Sequence, residues 1–256
     1  MTHDLAGDLS GELELTGRIM PASNATFVGT IGGQAVVYKP TAGERPLWDF
    51  PDGRLAQREV AAHAVSQVLG WNIVPHTWLG EGPHGPGMLQ MWCEPDPDQN
   101  PVDLVMSGAV GEGWRHVFDG LDAQDRRVSL VHEDSPELRR MAVFDIVVNN
   151  ADRKGGHVLA MTSGHRYGID HGLTFHIDHK LRTVLWGWTA EPLTDEEVAG
   201  VERVRSGLAV DLGDLLAELL TADEVSALAA RCDHLLSHPH FPAPSGEMPA
   251  VPWPPF

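Results

Sequence analysis

Lys39 closes the run Val36-Val37-Tyr38-Lys39, where the fixed backbone of a strand could aim an ammonium group into a cleft. Asp152 directly follows an apolar helical stretch, in Asn149-Asn150-Ala151-Asp152-Arg153-Lys154-Gly155-Gly156-His157. Asp170 comes eighteen positions later, after the strand-like Arg166-Tyr167-Gly168-Ile169 and within Ile169-Asp170-His171-Gly172-Leu173. A cation, a loop carboxylate and a second carboxylate are what phosphoryl transfer from a nucleotide requires: a positive charge on the phosphates, a group orienting the acceptor hydroxyl, and an acidic ligand for magnesium. Singly, each residue has a plain reading. A strand-ending lysine is commonly a solvated surface residue, Asp152 a loop aspartate, and Asp170-His171-Gly172 a turn. Their joint order and spacing carry the expectation.

The fourteen histidines offer a competing set. His157, His165, His171, His176, Asp178 and His179 fall within twenty-three positions, and His with Asp is a ligand set of metal-dependent hydrolases. No His-Glu-x-x-His helix is present and the histidines share no helical face, so the hydrolase stands as an alternative.

The elements that must position these residues fall into two groups. Up to about residue 93 the chain reads mainly as strands: Glu12-Leu13-Glu14-Leu15 alternates, Thr26 to Thr30 is β-branched and aromatic, and Gln34 to Lys39 follows the hairpin-forming pair Gly32-Gly33. The spacing of Val60, Ala61, Ala64, Val65, Val68 and Leu69 predicts a helix over 55–69, stopped by Gly70. Two more strands are expected at Ile73–Leu79 and Met88–Cys93, separated by the turn-rich 80–87. The proline- and acid-rich stretch Glu94 to Pro101 suits neither strand nor helix and sets a boundary. Beyond it the chain reads as mostly helical, with starts at Ser135-Pro136-Glu137, Thr194-Asp195-Glu196-Glu197 and Thr221-Ala222-Asp223-Glu224. The expected organisation is 10–93, a connector at 94–101, a helical part at 102–240, and a proline-rich tail at 241–256, extended, docked or disordered.

Composition narrows the partners. With 18 basic against 36 acidic side chains the formal charge is −18, which repels nucleic acid and anionic lipid, so neither is expected as a partner. Met1-Thr2-His3-Asp4-Leu5 lacks a basic region followed by an apolar stretch, and a cytoplasmic location is expected. Cys93 and Cys232, far apart, indicate neither a disulfide framework nor a cysteine zinc site.

On the runs around Lys39, Asp152 and Asp170 the sequence resembles the phosphatidylinositol 3- and 4-kinase-like superfamily of atypical kinases, and more distantly the persistence-toxin serine kinases. The resemblance covers the order of elements from about Gly17 to Phe175. It implies an α+β, two-lobed protein-kinase-like fold with an antiparallel-strand N-lobe and a mainly helical C-lobe. It implies that Lys39 contacts the α- and β-phosphates of ATP and pairs with Glu59, twenty positions on. Asp152 would be the catalytic aspartate, Arg153 or Lys154 would stabilise charge on the transferred group, and Asp170 would bind Mg2+ or Mn2+. His157 occupies the place of a second metal ligand that is usually Asn in the family. Imidazole suits softer ions than magnesium, so His157 as a ligand would shift preference toward manganese. Ser23 and Asn24 resemble a phosphate-covering loop, and the adenine would lie near Gln90-Met91-Trp92-Cys93. The expected function is an ATP-dependent phosphotransferase acting on a hydroxyl of a protein or of a small, inositol-like molecule. A degenerate nucleotide-binding pseudokinase is the alternative that the His157 departure supports, and adenylyl transfer stays open.

Overall fold

A computed structural model gives the structure of the protein for residues 9, 11–20, 24–45, 47, 50, 51, 53–246 and 249–256. The fold is mixed α+β, with antiparallel sheets and five α-helices among the described residues. Strands β1 (Glu14–Arg18), β2 (Phe27–Ile31), β3 (Gln34–Pro40), β4 (Thr77–Gly82) and β5 (Gly85–Met91) form one sheet in the order β1-β2-β3-β5-β4. Gly32 and Gly33, at φ of 56° and 83°, make the β2–β3 turn, a conformation that side-chain-bearing residues adopt only at a cost. Alternation along β3 buries Val36 and Tyr38 with Leu13, Ile31 and Leu89 in a small core. Val37 and Lys39 therefore share the opposite face.

The β4–β5 hairpin runs further into the glycine-rich stretch than the sequence predicts, turning at Pro83-His84, while Ile73 to His76 is irregular. The reason is Tyr38: a Cβ at Gly82 would lie 2.7 Å from its ring, so a glycine there is a point of close approach within a strand. Helix α1 (Leu55–Leu69) packs beside this sheet and stops at Gly70, which takes the left-handed conformation at φ 79°. Ser66 then fixes the exit, its Oγ accepting hydrogen bonds from the backbone N–H of Ile73 at 2.7 Å and of Val74 at 3.0 Å.

The stretch expected to open a helical region instead opens with a sheet. Strands β6 (Val102–Met106), β7 (Trp114–Leu121) and β8 (Arg127–Glu133) pair antiparallel in the order β6-β8-β7. The β-branched Val102, Val128 and Val131, all buried, favour the strand conformation here. Helix α2 (Pro136–Val148) follows, capped by Ser135, whose side chain accepts from Leu138 N. The short hairpin β9 (Val158–Ala160) and β10 (Arg166–Gly168) comes next. Helices α3 (Asp195–Gly207), α4 (Asp211–Leu219) and α5 (Ala222–Ser237) complete the order, α3 and α5 each starting on a full capping box from Thr194 and Thr221. The main core gathers α1, α2 and the last three helices around Leu69, Phe144, Val147, Val201, Leu216 and Leu228. No helix among the described residues is long and apolar enough to cross a membrane. Cys232 is buried and Cys93 half-buried, both free thiols.

Two predictions follow from the packing. Ser66→Ala leaves two buried N–H groups unpaired and is expected to lower stability by about 2 kcal/mol or more, read from the urea midpoint. His132 is fully buried, accepting from Gly187 N through Nε2 at 3.0 Å while Nδ1 lies 2.8 Å from Glu133 O, and burial holds its pKa down to about 4. The native ring stays neutral while the unfolded one takes up a proton below about pH 6.5, so this contribution to stability is lost as pH falls from there toward the native value. Denaturation at pH 7.5 and pH 5 should show that loss, with a shallower slope in His132→Asn.

Candidate active site

Three elements distant in sequence converge on Lys39. Its Nζ donates to Glu59 Oε1 on α1 at 2.7 Å and to Asp170 Oδ1 at 2.7 Å. Glu59 is 2% exposed, and its Oε2 accepts from the backbone N–H of His171 at 2.8 Å, so one carboxylate fixes both the lysine and the loop that carries Asp170. Burial alone would lower the Lys39 pKa, but Asp170 and Glu59 outweigh it and raise it above the lysine range. Lys39 in turn holds the Asp170 carboxyl well below the usual carboxylate range. Lys39 and Asp170 keep their charges across about pH 5 to 9, because the Asp170 contribution is lost only in acid and the Lys39 contribution only in strong base. Asp170 has φ 61°, a left-handed conformation that Asp tolerates better than most residues.

The other loop that reaches this region follows α2. Asn149 ends the helix in the left-handed conformation, its side chain donating to His176 O and Asp178 O and accepting from Lys180 N. Asn150 donates to Asp145 Oδ1 at 2.9 Å and accepts from Asp152 N at 3.0 Å, setting the backbone from which Asp152 projects. Burial pushes the Asp152 carboxyl above its ordinary range, against the pull of Lys154, whose Nζ is 3.3 Å away. A carboxylate shifted in that direction is closer to the pKa that general-base work favours.

Arg153 requires a correction. Expected beside the reacting phosphate, it is fully buried and points into the protein, away from the cleft. Its guanidinium donates to both Asp145 oxygens, at 2.9 and 2.8 Å, to His157 O at 3.1 Å and to Ile169 O at 3.3 Å, and lies 2.7 Å from His171 Nε2. A guanidinium can only donate, so His171 Nε2 accepts and the ring is neutral, in line with a pKa driven down by burial and by Arg153. Asp145 and Asn150 have no part in the sequence-based expectations, and His171 enters them only as a candidate metal ligand of the alternative hydrolase. The available signal was Asp145 itself, a carboxylate among Met141, Val143, Phe144 and Val148 in an apolar helix.

Lys39, Asp152, Lys154, His157 and Asp170 line one cleft of about 690 Å³. Its apolar walls come from Ile19, Val37, Met91, Leu159 and Ile169, with Trp92 and Cys93 alongside. Gln90 reaches the cleft, yet its side chain is engaged by Thr77 Oγ1 at 2.8 Å. Asn24 also lines it, with its Oδ1 accepting from Arg45 N at 3.0 Å. Ser23 lies outside the described residues.

The donor chemistry fits a divalent cation between His157 and Asp170. His157 Nδ1 is 2.9 Å from Asp152 O, a carbonyl that can only accept, so Nδ1 carries the proton. Burial keeps the ring neutral by lowering its pKa, and Nε2 therefore presents a lone pair 3.4 Å from Asp170 Oδ2. Two acceptors face each other there, and an imidazole whose other nitrogen is tied to a carbonyl is the usual form of a metal-ligating histidine. Among the described residues no three His, Cys, Asp or Glu side chains are grouped to hold a metal ion, so such a cation would need further oxygen ligands from a bound substrate. The wider histidine set does not assemble: His165 Nε2 lies on Asn72 O, His171 is buried on Arg153, and His176 packs edge-on against Phe50.

Protein Rv2133c of Mycobacterium tuberculosis is 47% identical over 259 residues, which cover 96% of this chain and 93% of that protein. Among solved structures, the Helicobacter pylori proinflammatory kinase CtkA aligns with a TM-score of 0.47 at 12% identity, over 90% of this chain and 93% of that one. No family model matches the chain.

The Arg153–Asp145 pair yields a stability prediction. Arg153→Ala and Asp145→Ala are each expected to cost about 3–5 kcal/mol, since either leaves a buried charge unmatched. Arg153→Lys should not restore the loss, because an ammonium lacks the planar fork. Lys154→Ala, whose partner Asp152 is half-buried, should sit within about 1 kcal/mol of the parent in the same denaturant titration.

Proposed function

The chain belongs to the family of protein Rv2133c, and we propose that it is an ATP-dependent phosphotransferase of the protein-kinase-like kind, acting on a hydroxyl of a protein or small-molecule acceptor. The observation that carries this is Lys39 held between Glu59 and Asp170 in the cleft that Asp152 and His157 also line. A lysine braced by a buried glutamate, a loop carboxylate of raised pKa and a second carboxylate of depressed pKa form the division of labour that phosphoryl transfer demands. In this reading the strand-rich region 10–93 and the region 102–240, which begins with its own sheet, are two lobes joined by 94–101.

In this reading each group in the cleft has a role. Lys39 keeps Glu59 and exchanges Asp170 for phosphate oxygens when the nucleotide enters. Asp152 orients the acceptor hydroxyl and takes its proton, with Lys154 beside it as the cation available to the transferred group in place of Arg153. The adenine end lies toward Met91, Trp92 and Cys93. Asp170 and His157 would hold Mg2+ or Mn2+, which when bound neutralises phosphate charge, and the imidazole favours manganese. The acidic surface supports a soluble acceptor over nucleic acid or a lipid bilayer.

His157 is also the ground for a second reading, a nucleotide binder without catalysis. Labelled ATP separates the two. Transfer of the γ-label is expected, with Asp152→Asn slowing it by about a hundredfold or more while a thermal shift with ATP and Mn2+ persists. His157→Asn should move the metal preference toward Mg2+. Transfer of the α-label would redirect the reading to adenylylation, binding without transfer would leave the pseudokinase, and no nucleotide-dependent shift with either metal would end the proposal.

A further inference from the structure

Residues 249–256 are docked, and they run to the edge of the cleft. Ala250 O accepts from Thr183 N at 3.0 Å and from Trp186 Nε1 at 2.8 Å, Val251 packs on the main core, and Pro252 and Pro255 are buried. The run ends on the loop between Asp152 and His157: Gly155 donates its N–H to Pro255 O at 2.8 Å. The ring of Phe256 lies so close over Gly155 that a Cβ there would be 2.5 Å from Phe256 Cε1. No side chain fits at position 155 while the ring stays in place. Phe256 also lines the same cleft as Lys39, Asp152 and Asp170, and it is 47% exposed.

We propose that Phe256 is a nucleotide-contacting residue, and that the docked segment 249–256 is a built-in wall of the nucleotide site which also fixes the Asp152–His157 loop. The inference rests on the phosphotransferase reading above. Two observations separate a wall from a plug. With the ring in place the cleft still measures about 690 Å³, within the size range of small-molecule sites, about 300–1,000 Å³. Phe256 lines that space and is 47% exposed, so its ring offers apolar surface whose burial a bound nucleotide would extend. Gly155 is the matching device on the loop side, because only a residue without a side chain lets the wall close on it.

The test is nucleotide affinity of the full chain, measured by calorimetric titration of ATP with Mn2+. Phe256→Ala is expected to weaken binding by about tenfold, with Phe256→Tyr restoring it and the melting temperature without nucleotide almost unchanged. Gly155→Ala, which displaces the ring, should weaken binding to a similar degree. The double variant should be no weaker than Phe256→Ala alone, the signature of two residues acting through one contact. Binding by Phe256→Ala equal to the parent would overturn the wall, and tighter binding would make the ring a plug, also against the proposal. Either result leaves the phosphotransferase reading standing, whereas absence of ATP binding by the parent chain would remove both.

Discussion

The buried guanidinium of Arg153 is the constraint on which the site depends. Taking an arginine out of water costs several kcal/mol unless each of its donors is matched, and here all are. Asp145 from α2, the carbonyl of His157, the carbonyl of Ile169 and the ring of His171 surround it. Those four partners belong to the helix before Asp152, the loop after it, and both sides of Asp170. One charge therefore fixes the distance between two carboxylates that lie eighteen residues apart. Gly168, where a Cβ would come within 2.9 Å of the guanidinium, shows how closely the backbone has closed around it.

Lys39 works on the opposite principle. Its side chain is 23% exposed and that of Asp170 49%, so their attraction is screened by water and contributes little to holding the fold. A weakly stabilising pair can rearrange when a ligand offers better partners. Glu59 does not share that freedom, since it is buried and its second oxygen is committed to the amide of His171. The cleft thus pairs a fixed carboxylate on α1 with a movable one at Asp170, and the lysine between them is anchored on one side only.

Local order was legible wherever periodicity was strong. The β2–β3 hairpin, α1 over 55–69, and the starts of α2, α3 and α5 were all readable, because turns and caps depend on residues within three or four positions. The sheet over 102–133 was not. Strands β6 and β7 leave most of their residues half or fully exposed, so the contrast between their two faces is too low to stand out in sequence. The β4–β5 hairpin was misplaced for a different reason: glycines that usually break strands were retained within one to make room for the ring of Tyr38 more than forty positions away.

By itself the sequence determined the identity and order of the charges in the cleft, Lys39, Glu59, Asp152, His157 and Asp170, and the helices and turns that frame them. Those follow from residue type and from short-range periodicity. Tertiary structure decided which charges work together. Asp152 and Arg153 are neighbours in the chain, yet one side chain reaches the cleft and the other the interior, because a buried carboxylate eight positions back claimed the guanidinium. Lys39 and Asp170 meet across 131 residues, a pairing that only the folded chain brings about. Which way a loop side chain points is set by the partners that folding brings to it, and that information lies outside any local stretch of the chain.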